Sequence, residues 1–158
     1  MFFYVIAIFV VIIDQISKNL IRAYVDIGET TSFWGIPITH YENSGMASSL
    51  FQGYGRLFGV VAVVFVIVIH HYRRKGDIKG PLLDISFGFL VGGAVGNGID
   101  RLLFGQVTDF LISFPSKGIL NLSDHAIQIG VLLLILHGAI RLLKSLNNKA
   151  KAIKDESP

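Results

Sequence analysis

The sequence contains no cysteine among its 158 residues, and that absence excludes several kinds of chemistry. A chain without thiols forms no disulfides, has no thiolate nucleophile and holds no cysteine-ligated metal. The His-Glu-x-x-His pattern of zinc enzymes and the Gly-x-Ser-x-Gly turn of serine hydrolases are also missing. Any hydrolytic chemistry on this chain must therefore come from other side chains.

Charge is scarce as well, because only 16% of the residues are Asp, Glu, Lys or Arg while 52% are hydrophobic. The mean hydropathy of +0.60 is too high for a typical soluble domain. Several apolar runs approach the roughly 20 residues that cross a bilayer. We predict one membrane domain over residues 1–158, with four helices at about 2–22, 55–72, 81–103 and 124–146. The net charge of +3 indicates membrane topology and no nucleic-acid partner.

The first apolar run ends in Asp14-Gln15-Ile16-Ser17-Lys18. A cleaved signal peptide would need a basic region before the run and a small-residue cleavage site after it, and the sequence has neither. We therefore expect a retained first helix. Asp14 and Lys18 are spaced i,i+4 and share a helix face, so they can pair. That pair either eases the burial of two charges or supports a nearby site.

Between the first two helices, residues 24–54 are polar and broken by Gly and Pro, with short alternating pieces typical of strands. We predict a small β-rich cradle outside the membrane that rests on the bilayer. His40 has no metal-ligand partner at a useful spacing and is predicted to be a surface residue. Further on, Gly92 and Gly96 predict close helix packing, and either Ser123 or Asp124 is predicted to cap the fourth helix. The charged segment after Lys144 is expected to be frayed.

Basic residues predict the orientation. Several lie between the second and third helices and after the fourth, whereas residues 24–54 contain none. The positive-inside rule then places both termini and the tail 147–158 in the cytoplasm and both longer loops outside. With that threading, four carboxylates share the outer leaflet: Asp14, Asp100, Asp109 and Asp124.

Carboxylates at the edge of a hydrocarbon slab are costly unless they are paired or hydrated, so four together indicate a functional site. The simpler interpretation is that they are helix caps or charges that mark the membrane boundary. Two neighbouring carboxyl groups that share one proton can act as general base and general acid, and so activate water against an amide. A proton-coupled transporter is a further alternative, but a relay should continue across the membrane.

Five motifs occur in order: Asp14-Gln15-Ile16-Ser17-Lys18, Asn43-Ser44-Gly45-Met46-Ala47, Gly92-Gly93-Ala94-Val95-Gly96-Asn97-Gly98-Ile99-Asp100-Arg101, Val107-Thr108-Asp109-Phe110 and Asn121-Leu122-Ser123-Asp124. Together they resemble the lipoprotein signal peptidases, the type II signal peptidases of bacteria. The resemblance implies an all-α four-helix membrane bundle with a β-rich outer cradle. It implies an aspartyl endopeptidase of the bacterial cytoplasmic membrane that acts as a monomer among membrane lipids, without metal or cofactor. Its substrates would be diacylglyceryl-modified prolipoproteins, cut just before the lipobox cysteine.

By motif matching, the resemblance implies that Asp109 and Asp124 form the catalytic dyad. Residues implied to shape, support or contact the site are Asp14, Lys18, Asn43, Gly45, Asn97, Asp100, Arg101 and Asn121.

The sequence departs from the family pattern at Glu42, Met46, Ser48, Gly98, Ser123 and His125. Gly98 is expected to loosen the turn from Asn97 to Asp100, and His125 could add a hydrogen bond to the dyad or shift its pKa. The hypothesis that follows is a divergent paralogue with altered activity or substrate preference. A relative that binds lipoproteins without turnover stays open as the alternative.

Overall fold

The computed structural model describes residues 1–45, 50–113 and 118–155, and it describes residues 153–155 by their backbone only. Four long helices dominate it: α1 (Phe2–Tyr24), α2 (Gly55–Lys75), α3 (Pro81–Phe104) and α4 (Leu122–Asp155). All four are long and apolar enough to cross a membrane, which confirms the predicted four-helix membrane fold. Their exposed faces are rich in Val, Leu, Ile and Phe, as expected of surfaces that meet lipid.

Small residues make α3 the central helix of the bundle. Half of its most apolar stretch is buried, against 11% for α4. A Cβ added at Gly92 would lie 2.8 Å from the Cβ of Val10 on α1, and one at Gly96 would collide with Asp14 and Ser123. The close approach predicted for the two glycines is therefore confirmed. It brings the polar residues of three helices together.

The start of α4 differs from the prediction, because its capping residue is Asn121. The Asp124 backbone N–H donates to Asn121 Oδ1 at 3.0 Å, and the Asn121 N–H donates back to Asp124 Oδ2 at 3.1 Å. This reciprocal pair is a capping box that satisfies two N–H groups at the helix end. Asp124 is its third residue and not the cap.

The other end of α4 also differs from the prediction. The helix continues to Asp155, so the expected fraying after Lys144 is wrong over the described residues. Lysine and alanine are good helix formers, and they extend the helix beyond its apolar part.

The cradle is a four-stranded antiparallel sheet in the order β1 (Thr30–Phe33), β2 (Ile36–Asn43), β3 (Val107–Ile112) and β4 (Ile119–Leu120). β1 and β2 come from the predicted segment 24–54. β3 and β4 come from the connection between α3 and α4, for which the sequence analysis predicted no strands. The sheet thus joins both long loops and carries Asp109 on an inner strand.

A β-bulge in β2 explains why the prediction for His40 was wrong. Tyr41 pairs with Asp109 and Ile38 with Leu111, so two residues of β2 lie opposite one residue of β3. The extra residue breaks the alternation of faces, and both Thr39 and His40 are buried, with 7% and 4% exposure. His40 therefore lies inside the cradle and not on its surface.

Candidate active site

The polar centre of the bundle is built around the ammonium group of Lys18, which is fully buried. Its Nζ lies 2.8 Å from Asp14 Oδ2, 3.0 Å from Asp100 Oδ2 and 2.9 Å from Asn97 Oδ1. The ammonium donates a hydrogen bond to Asn97, and its charge pairs with the two aspartates. The predicted pair of Asp14 and Lys18 is confirmed. It belongs to a larger cluster in which two carboxylates offset the burial of one cation.

Both aspartates of this cluster also bind other elements. Asp14 Oδ1 accepts the backbone N–H of Ser123 at 2.9 Å, which ties α1 to the first turn of α4. Asp100 Oδ1 lies 3.0 Å from Arg22 Nη2 and accepts a hydrogen bond from Gln15 Nε2 at 3.2 Å. The cluster thus holds the C-terminal parts of α1 and α3 against the N-terminal end of α4.

Asp109 lies on β3 beside this cluster and is only 3% exposed. Its Oδ1 accepts a hydrogen bond from Asn121 Nδ2 at 2.6 Å, and its Oδ2 accepts one from Asn43 Nδ2 at 3.1 Å. The Asn43 amide is oriented in turn, because its Oδ1 accepts the N–H of Gly45 at 3.0 Å. A Cβ at Gly45 would collide with the carbonyl oxygen of Leu50, so the close approach of these two residues requires glycine at position 45.

Asp124 lies on the other side of Asn121 and is half-buried. Its Oδ1 accepts a hydrogen bond from Asn97 Nδ2 at 2.8 Å, and its Oδ2 accepts the Asn121 N–H of the capping box. Because the Asn97 oxygen accepts a hydrogen bond from Lys18, its amide nitrogen must face Asp124. Lys18 therefore orients Asn97, which orients Asp124.

The two carboxyl groups differ in their surroundings, and this affects the protonation of Asp109. Burial, followed by the nearby charge of Asp124, raises the pKa of Asp109 from 3.8 to about 7. The hydrogen bonds from Asn43 and Asn121 and the charge of Lys18 oppose that rise. A pair that holds one proton near neutral pH can supply one general base and one general acid.

Arg101 connects α3 to the cradle next to this pair. Its Nη2 donates to the carbonyl oxygen of Gly45 at 3.2 Å, and its guanidinium lies 5.8 Å from the centre of the Phe58 ring. The charges of Asp124 and Asp109 both act on this guanidinium. Its buried Nε has no hydrogen-bond partner among the described residues. Arg101 thus places a cation beside both carboxyl groups.

Among the described residues that depart from the family pattern, Ser123 and His125 follow Asn121 closely and make no hydrogen bond to either carboxylate of the pair. Ser123 is fully buried, and its Oγ has no hydrogen-bond partner within the described ranges. His125 Nδ1 bonds to the Asn121 carbonyl oxygen at 2.8 Å, so the predicted hydrogen bond does not reach the dyad. α3 is continuous through Gly98, where the loosened turn was expected. Met46 and Ser48 lie outside the described residues.

Three further polar residues belong to the site and were missed as site residues: Gln15, Arg22 and Thr108. Gln15 Nε2 donates to the Gly96 carbonyl oxygen at 3.0 Å, and Arg22 Nε donates to Thr108 Oγ1 at 2.7 Å. The sequence held one signal for Arg22, because it follows Asp14 and Lys18 at four-residue spacing on the same face of α1. Over the described residues, no group of three or more His, Asp or Glu could hold a metal.

The fold and this site define a multi-pass membrane protein with a pair of carboxyl groups held beside a buried ionic cluster. A model of the family described as Signal peptidase (SPase) II matches residues 6–140. The chain belongs to the signal peptidase II family, and the resemblance noted in its motifs is confirmed. It is a membrane protease of signal-peptide processing.

Individual proteins agree with the family assignment. The chain is 35% identical over 154 residues to a lipoprotein signal peptidase of Staphylococcus aureus (strain JH9), covering 91% of this chain and 89% of that protein. A solved structure described as a bacterial membrane enzyme superposes with a TM-score of 0.79 at 32% identity, covering 92% of this chain and 89% of the other. A second structure with the same description gives a TM-score of 0.73 at 31% identity, covering 84% and 89%.

Proposed function

We propose that this chain is an aspartic endopeptidase that removes the signal peptide from diacylglyceryl-modified prolipoproteins by cutting before the lipobox cysteine. Asp109 and Asp124 are its catalytic residues. The observation that carries the proposal is the shared contact with Asn121, which holds one carboxyl group through its side chain and the other through its backbone. Two carboxyl groups fixed side by side, with the pKa of one near 7, match the requirement for a base and an acid in one site.

In the proposed mechanism, the ionised member of the pair takes a proton from a water molecule, which attacks the scissile carbonyl carbon. The protonated member then gives its proton to the leaving nitrogen as the peptide bond breaks. The proton belongs to the pair, so the roles are assigned to the dyad and not to either residue alone. No metal or organic cofactor takes part.

The surrounding residues keep the dyad in place. Asn43, Asn97 and Asn121 orient the carboxylates, and Asp14, Lys18 and Asp100 form the ionic cluster beneath them. Gly45 and Arg101 lie where the cradle would meet the substrate peptide. Fixed donors and charges of this kind need no rearrangement when charge develops in the transition state.

The proposed orientation places both termini and the tail 147–158 in the cytoplasm of a bacterium and the dyad near the outer leaflet. The support for this orientation is the positive-inside rule. Basic residues cluster where α2 meets α3, whereas residues 24–54 of the cradle contain no Lys or Arg; the cluster is Arg73, Arg74, Lys75 and Lys79. A substrate that carries two acyl chains would stay in the bilayer and reach the dyad from the side. We propose that the chain does this as a single domain and a monomer.

The test uses purified protein and a diacylglyceryl-modified lipobox peptide, with Asp109→Asn and Asp124→Asn as the variants and Asp26→Asn, at an exposed aspartate, as the control. Cleavage before the cysteine should be lost in both dyad variants and kept in the control, with every protein folded. An unmodified peptide tests the need for the lipid. Tight binding of the lipopeptide without cleavage would refute the proposal and favour a lipoprotein-binding relative.

A further inference from the structure

A chain of buried hydrogen bonds runs through the cradle behind Asp109, and its middle member is the hydroxyl of Thr108. We propose that Thr108 is a positioning residue for the cleavage reaction, held by Arg22 on one side and by Glu42 and His40 on the other. The proposal rests on the proposed function, since it assigns the support of the same dyad. We call the side chains of Arg22, Thr108, Glu42 and His40 the cradle chain.

The donors and acceptors of the cradle chain admit one arrangement at Thr108. Arg22 Nε can only donate, and it lies 2.7 Å from Thr108 Oγ1. The hydroxyl of Thr108 must therefore point its own hydrogen elsewhere, and Glu42 Oε1 accepts it at 2.8 Å. Thr108 is fully buried, so water does not compete for either bond.

The same logic places a proton at the far end of the cradle chain. His40 Nδ1 lies 2.7 Å from the carbonyl oxygen of Val25, which can only accept, so this nitrogen carries a hydrogen. His40 Nε2 lies 2.9 Å from Glu42 Oε1, the oxygen that already accepts from Thr108. A hydrogen bond there needs a second proton on the imidazole or one on the carboxyl group. Glu42 Oε1 therefore connects the imidazole of His40 to the hydroxyl of Thr108.

The cradle chain lies beside the contact between Asn43 and Asp109. Glu42 pairs with Thr108 across β2 and β3. Each is followed in the chain by a residue of the site: Asn43 follows Glu42, and Asp109 follows Thr108. The hydroxyl bond between Thr108 and Glu42 therefore fixes the two strands at the point where Asn43 reaches Asp109.

Arg22 joins the cradle chain to the second carboxyl group as well. Its Nη2 lies 3.0 Å from Asp100 Oδ1, and Asp100 holds the Lys18 ammonium that orients Asn97 toward Asp124. The two halves of the dyad, one on a strand and one on a helix, thus share one support made of hydrogen bonds and ion pairs. Removing the hydroxyl of Thr108 breaks its hydrogen bonds to Arg22 and Glu42, and so breaks the connection between the two halves, without changing either carboxyl group.

The experiment compares Thr108→Val, which keeps the shape and removes the hydroxyl, with Thr108→Ser, which keeps the hydroxyl. Cleavage of the diacylglyceryl-modified peptide gives kcat and KM separately, and thermal unfolding reports the folded protein. We expect kcat to fall about tenfold or more in Thr108→Val with KM within about twofold, since small displacements of reacting groups slow chemistry strongly. Thr108→Ser should stay within about threefold of the parent kcat.

A second variant tests the cradle chain where Thr108→Val fails to fold. Glu42→Gln keeps an oxygen for Thr108 and weakens the pairing with His40, so its kcat should fall below that of the parent protein, and an unchanged kcat would overturn the role of the cradle chain. Where Thr108→Val does fold, the double variant should be no slower than Thr108→Val alone, because both changes break one chain.

An unchanged kcat in Thr108→Val, or equal losses in the Val and Ser variants, would overturn the positioning role and leave the peptidase intact. Absence of cleavage by the parent protein would instead overturn the proposed function and this role with it.

Discussion

Folding buries the carboxyl group of Asp109 next to the carboxylate of Asp124. Replacing Asp109 with asparagine should therefore lower activity and raise stability. Asp109→Asn removes one member of the proposed dyad, so we expect cleavage to be lost. It also removes a group whose charged form is costly in the folded protein, because burial and the charge of Asp124 raise the pKa of Asp109 to about 7. Above neutral pH the variant should therefore gain stability relative to the parent protein.

The magnitude follows from linkage between protonation and folding. The folded pKa is higher than the unfolded value of about 3.9, so the folded state binds the proton more tightly and stability falls as pH rises from about 4 to about 7. One pKa unit corresponds to about 1.4 kcal/mol, so Asp109 destabilises the fold by about 1.5 kcal/mol at pH 5 and about 4 kcal/mol at pH 8. Asparagine does not titrate, and the gain from Asp109→Asn should be about 2.5 kcal/mol larger at pH 8 than at pH 5.

The assay is thermal unfolding of the purified protein in detergent at pH 5 and pH 8, for the parent, Asp109→Asn and the exposed control Asp26→Asn. Asparagine places an NH2 group against the donors of Asn43 or Asn121, but that penalty is the same at both pH values and cancels in the comparison. An equal change in unfolding temperature at both pH values would refute a raised pKa for Asp109. A gain shared by Asp26→Asn would show a general charge effect instead.

Three further changes test separate parts of the site. Lys18→Met removes the cation that Asp14 and Asp100 share, and only Asp100 keeps a second one in Arg22 among the described residues, so the change should destabilise the fold by about 3–5 kcal/mol. Lys144→Met, on the exposed end of α4, should not; unfolding temperatures measure both. Gly45→Ala adds a methyl group that collides with the Leu50 carbonyl oxygen and displaces the backbone at Gly45, so kcat/KM should fall at least about tenfold. Circular dichroism should show unchanged helix content. Gly138→Ala, where the added methyl group meets open space, should leave kcat/KM unchanged. Ser123→Ala removes a hydroxyl that has no hydrogen-bond partner among the residues that the structure describes, so cleavage should be unchanged. A slower variant would support the idea that Ser123 marks altered activity.

The sequence by itself determined the class of fold and the composition of the candidate site. Four apolar runs fix four membrane helices, because the bilayer leaves a long apolar segment few alternatives. The helix period was sufficient to pair Asp14 with Lys18, and the basic residues predicted which helix ends meet. Motif matching selected the residues that the structure then brings together around Asn121.

Only the tertiary structure decided how the polar groups are divided among their partners. The bulge that buries His40 depends on the register between β2 and β3, and these strands are separated by two whole helices in the sequence. Local patterns do not determine such a register, since it arises from contacts between distant segments. The same holds for the bond from Arg22 to Thr108, and for Asn121, whose one side chain both caps α4 and holds Asp109. A local pattern can identify a polar residue as important, but its partner becomes known only when the helices and strands have packed.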